Sequence, residues 1–97
     1  MLKYLKDHIV EEIDGAMDYM SKALEYNGTQ TGCIFRQMSE MELEHANALT
    51  KMFKDAERPT DMTEAEYSAV QKEVLDKYVT SMGKIEAMKK LYWKEHE

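Results

Sequence analysis

Proline and glycine are scarce: one proline and four glycines among 97 residues. They leave few breaks in a chain rich in strong helix formers, so an all-α fold is expected. The lone cysteine, Cys33, has no partner for an internal disulfide. That fits a reducing compartment, and Cys33 reads as a small buried apolar residue without a chemical role. No apolar run reaches the ~20 residues that would span a bilayer. Met1-Leu2-Lys3-Tyr4-Leu5-Lys6-Asp7 does not lead into a signal-type stretch, so a cytoplasmic protein is expected. Positive charge is in short supply too. A formal charge of -6 repels phosphate backbones and anionic lipid, which argues against nucleic acid and membrane surfaces as partners and leaves cations. Internal repeats and low-complexity tracts are missing.

What is present is ordinary for a globular protein: 43% hydrophobic and 33% charged residues, too apolar for a disordered chain. Residues 1–97 are expected to form a single domain. A domain this small hides only about 60–65% of the surface its unfolded chain exposes, so oligomerisation would help it.

Three helices are predicted, over about 2–26, 32–57 and 63–94. In the first, Leu2, Leu5, Ile9, Ile13, Ala16, Met17, Met20, Ala23 and Leu24 recur at helical steps, and Asn27-Gly28 ends the run. The second starts near Thr31 or Gly32 and carries Ile34, Phe35, Met38, Met41, Leu49, Met52 and Phe53. Their short connection makes the two antiparallel neighbours. Arg58-Pro59-Thr60-Asp61 breaks the pattern, and Thr63 with Glu66 forms a capping box for the third helix. That helix bears a narrow apolar seam, Tyr67, Val70, Val74, Tyr78, Met82, Ile85, Met88 and Tyr92, and no evident chemistry. The methionines read as fillers of irregular gaps rather than copper ligands.

Two rows contain residues foreign to a core. Phe35, Met38, Glu42, His45, Leu49 and Met52 share one face of the second helix, and Glu12 interrupts a largely apolar row of the first. An ionised carboxylate taken out of water needs neutralisation, a cationic partner or a metal. Glu42-Leu43-Glu44-His45 is a Glu-x-x-His motif, which aims a carboxylate oxygen and an imidazole nitrogen at one point. Carboxylate with imidazole suits iron or manganese better than structural zinc. Di-iron bundles take one Glu from each of two helices and a Glu-x-x-His from each of two others. This chain supplies half that set. Two copies about a two-fold axis would bring four carboxylates and two imidazoles together, enough for two metal ions per dimer. Oxidation of ferrous iron by dioxygen is the natural reaction class.

At these residues the sequence resembles the two-helix encapsulated ferritins and, more distantly, the rubrerythrin branch of the ferritin-like superfamily. The likeness covers about residues 5–57. Family members carry a first-helix glutamate with a tyrosine seven positions later, matched by Glu12 and Tyr19, and a Glu-x-x-His on the next helix, matched by Glu42 and His45. The resemblance implies a ferritin-like four-helix bundle completed by dimerisation, or by a higher homo-oligomer, around a di-iron ferroxidase centre. Glu42 is expected to bridge the ions, Glu12 and His45 to hold each one, and Tyr19 to lie just outside the ligands. It also implies a metal entry site at Glu11 and Asp14, while the tryptophan common nearby is replaced by Asp18. The family's short shell-docking tail has no counterpart here, because the chain continues into a third helix ending Tyr92-Trp93-Lys94-Glu95-His96-Glu97. Docking to an encapsulin-type shell is therefore not expected.

Asp7, Glu11, Asp14 and Asp18 line up at steps of four, three and four. They read as a solvated acidic face or as a weak cation-attracting route. His8 and His96 read as surface groups. The competing classes are an acidic helical structural or interaction module, phage- or shell-associated, with a degenerate metal site, and a peroxide- or electron-transfer protein of rubrerythrin type. The latter lacks the cysteines of a rubredoxin centre.

Overall fold

A computed structural model describes residues 1–94. His96, read from sequence as a surface group, lies outside the described residues. The fold is all-helical among the described residues, with α1 at Leu2–Glu25, α2 at Gln30–Asp55 and α3 at Glu64–Lys94. The body is a rod of 51 × 18 × 16 Å.

Local chemistry explains each boundary. The Tyr26 amide donates to the Lys22 carbonyl at 3.0 Å, and Gly28 takes φ +82, a left-handed conformation that glycine adopts without a Cβ penalty. Thr29 then caps α2, its Oγ1 accepting the Gly32 amide at 3.1 Å. This moves the start of α2 ahead of the expected Thr31 or Gly32, because Thr29 is the threonine that follows the left-handed residue in extended geometry. A methyl group on Gly32 would overlap the Tyr26 carbonyl, so the hairpin closes tightly here. α2 stops at Asp55 rather than the expected Glu57. Ala56 turns extended, and its carbonyl accepts from the Tyr67 hydroxyl of α3. The capping box opens α3 as read from sequence. Thr63 Oγ1 accepts the Glu66 amide at 3.1 Å, and Glu66 Oε1 accepts the Thr63 amide at 3.3 Å.

The core sits between α1 and α2, under α3. Leu2, Leu5, Ile9, Ile13, Phe53 and Val74 fill one end, Ala16, Leu43 and Ile85 the middle, and Met20, Ala23 and Tyr92 the hairpin end. α3 packs chiefly on α1. Ion pairs edge that contact, Lys6 to Glu73 at 3.5 Å and Lys77 to Asp14 at 3.2 Å. At the hairpin end the Arg36 guanidinium lies 4.9 Å from the Trp93 ring centre and binds Glu40 at 2.8 Å, joining α2 to the last turns of α3. Burial pushes its pKa down, but the Cys33 sulfur and Glu40 outweigh that, and the group is held above its ordinary value.

One sequence expectation needs correcting. Phe35, Met38, Leu49 and Met52 read from sequence as an apolar stripe on the Glu42 face, yet the buried residues of α2 are Gly32, Ser39, Leu43, Ala46, Thr50 and Phe53. At 3.6 residues per turn most of that buried set lies roughly 75° around the helix from Glu42. Phe35, Met38 and Leu49 form a half-buried border, and Met52 is 52% exposed. The reason is the position of α3, which covers one side of the hairpin and leaves the other open.

Candidate metal centre

The antiparallel hairpin sets Glu12 across from the Glu42–His45 turn. Its register is held by Ser39, fully buried, whose Oγ donates to the Ala16 carbonyl at 2.7 Å. Ser39 lies one turn before Glu42 and Ala16 one turn after Glu12, so this bond pins the two helices beside the carboxylates. Glu42 lies against Gly15. A Cβ at Gly15 would be 3.5 Å from both Glu42 Cδ and Oε2.

Glu12, Glu42 and His45 each offer a donor atom, and these atoms lie within 4.8 Å of one another. His45 Nδ1 is 3.5 Å from Glu12 Oε2, with the His45 side chain 60% exposed and that of Glu12 23%. Glu12 Oε2 is shut off from solvent and makes no hydrogen bond. A desolvated carboxylate oxygen without a hydrogen bond costs on the order of 1–3 kcal/mol or more, which a neighbouring cation offsets. Two carboxylates and one imidazole are a donor set suited to iron or manganese. The residues present therefore fit a metal ion, to which they would offer three donors.

The site stands on the open face of the hairpin. Tyr4, Ile34, Met41 and Met52 are 58%, 49%, 57% and 52% exposed there. Toward the turn, Tyr19 and Tyr26 both stack on Phe35, each with ring centres 6.1 Å apart. At the opposite end Tyr4 packs on His8 at 4.1 Å. Tyr19 thus shares the Glu12 face and is two turns along the helix.

Glu11 and Asp14 take other partners. Glu11 faces His8 Nδ1 at 3.8 Å. Asp14 is turned toward α3, where Lys77 meets it. Neither belongs to the Glu12, Glu42 and His45 group. A surface cleft of about 580 Å³ lies elsewhere, between Glu86, Lys89, Lys90, Trp93 and Lys94. Its lysines make it a poor cation site, so donor geometry rather than cleft size identifies the centre. Sequence reasoning missed Ser39 and Gly15. A glycine inside a helix one turn from Glu12 was the available signal for Gly15, whereas a lone serine at position 39 gave none.

No curated protein and no solved structure matches the chain. The family model described as Rubrerythrin matches residues 3–97. Nearly the whole chain is spanned by that match, which also takes in all three clustered residues, and the chain belongs to the rubrerythrin family, a ferritin-like family whose members generally bind iron.

Proposed function

We propose that the protein oxidises ferrous iron with dioxygen at a di-iron centre shared by two copies of the chain, in iron storage or detoxification. The observation that carries this reading is the desolvated, hydrogen-bond-free Glu12 Oε2 beside Glu42 and His45, set in a face whose apolar side chains remain exposed. A second copy docked there about a two-fold axis doubles the donor set to four carboxylates and two imidazoles, the complement used by di-iron bundles. Glu42, as the bridging carboxylate, with Glu12 and His45 would hold the ions, and Tyr19 would lie just outside them. Ferrous iron is the substrate: two ions each give up one electron, and dioxygen takes both electrons with two protons and leaves as hydrogen peroxide. The protein's part is to fix the carboxylates, exclude bulk water and favour the more highly charged product ions. Manganese suits the same donors.

The chain acts in the cytoplasm as one domain in a homodimer or larger homo-oligomer. No helix among the described residues is long and apolar enough to cross a membrane.

A second reading rests on the Glu12–His45 contact at 3.5 Å, which by itself is an ordinary cross-helix ion pair of an acidic structural module. Metal analysis separates the two. Protein from iron-supplemented cells is expected to hold about one iron per chain, to sediment as a dimer or larger, and to oxidise ferrous iron in air. Glu42→Ala is expected to lose both iron and oxidation. Wild-type protein that stays metal-free in excess ferrous iron would establish the structural module instead.

A further inference from the structure

Two glycines besides Gly32 lie inside helices, and they differ in surroundings. Around Gly83 of α3 a Cβ would meet nothing within 4 Å, whereas at Gly15 of α1 it would touch the Glu42 carboxylate at 3.5 Å. Neither has positive φ, since Gly28 alone does among the glycines, so backbone conformation does not require glycine at position 15. Glycine within a helix is costly relative to alanine. Space is what position 15 supplies.

We infer that Gly15 is a positioning residue for the metal centre, keeping clear the volume in which the Glu42 carboxylate lies against α1 and faces Glu12 and His45. The inference rests on the metal-binding reading of those three residues. At 3.5 Å an alanine methyl makes ordinary contact, so the limit falls beyond Cβ. Helical side chains lean back over the preceding turn, and for position 15 that turn carries Glu12. A γ carbon leaning over that turn would approach Glu42, Glu12 or both. The register bond from Ser39 to Ala16 keeps the helices from sliding to relieve the crowding, so the carboxylates must move instead.

The test is a Co(II) titration of the full chain, followed by visible absorption, for wild type and the series Gly15→Ala, Gly15→Val and Gly15→Leu, with Gly83→Val as control. Wild type and Gly83→Val are expected to share one spectrum and one affinity, with Gly15→Ala departing from them least of the position-15 series. Gly15→Val and Gly15→Leu should bind about tenfold or more weakly, with spectra shifted toward that of Glu42→Ala and helical circular dichroism retained. Val and Leu differ in β-branching, so loss of folding in one leaves the other to decide. Equal affinity and unchanged spectra across the series would overturn the inference while leaving the metal centre intact, as would Gly15→Ala losing as much as Gly15→Leu. Wild-type protein silent toward Co(II) would overturn the metal centre itself, and this inference with it.

Discussion

The two long sides of the α1–α2 hairpin are made by the same pair of helices and are finished in opposite ways. On the side covered by α3, apolar side chains are closed off from water, and most polar groups among them find partners, the buried Arg36 Nε being without a hydrogen bond although its guanidinium pairs with Glu40. Ser39 donates to Ala16, and Thr50 Oγ1 donates to the Ala46 carbonyl at 2.7 Å. On the open side, Glu12 Oε2 is desolvated without a hydrogen bond, while Ile34, Met41 and Met52 remain about half exposed. One side closes its apolar groups within the chain. The other leaves a desolvated carboxylate oxygen and half-exposed apolar side chains, the features on which the proposed ion and partner copy rest.

Changes confined to one side sharpen this contrast. Phe53, fully buried beneath α3, is expected to cost about 3–5 kcal/mol when changed to Ala, read by urea denaturation. The Co(II) spectrum per folded chain should be unaltered. If the spectrum changed with stability, the two sides would not be separable. An intermediate effect is expected from the double substitution Ile34→Lys with Met41→Lys. Both residues are exposed in the single chain, so its unfolding free energy should move by no more than about 0.5 kcal/mol per site. Two lysines brought into an apolar contact should nevertheless disfavour the dimer, and sedimentation across a concentration series would show it. An undisturbed dimer would place the contact elsewhere. The smallest effect is expected for Lys77→Ala, which frees Asp14 from a partly exposed pair and should change stability by about 0–1 kcal/mol. A larger loss would mean that α3 depends on its charged edges rather than on Val74, Ile85 and Tyr92.

Much of the fold was legible residue by residue. The Thr63–Glu66 capping box and the Asn27-Gly28 stop act through local backbone geometry, which neighbours along the chain control. The Glu12, Glu42 and His45 trio was legible because helical period and a short turn together put those positions opposite one another. The depth of that trio was not legible. Apolar residues on α1 and α2 cover an arc wide enough for either edge to become the core, and periodicity alone does not choose between them. The face through Phe35 and Met52 therefore became the border of the core rather than its centre. The start of α2 near Thr31 or Gly32 was placed late, because the cap is the threonine that directly follows the left-handed Gly28.

By itself, the sequence determined three helices, the stop of the first, the capping box of the third and the chemical character of the site, since each depends on spacing of a few residues and on side-chain type. The tertiary structure decided which side of the hairpin lies beneath α3, and with it which carboxylate oxygen loses its water and which methionines stay exposed. It also revealed that Gly15 and Ser39 flank the site, because close approach between helices is a property of their packing and register.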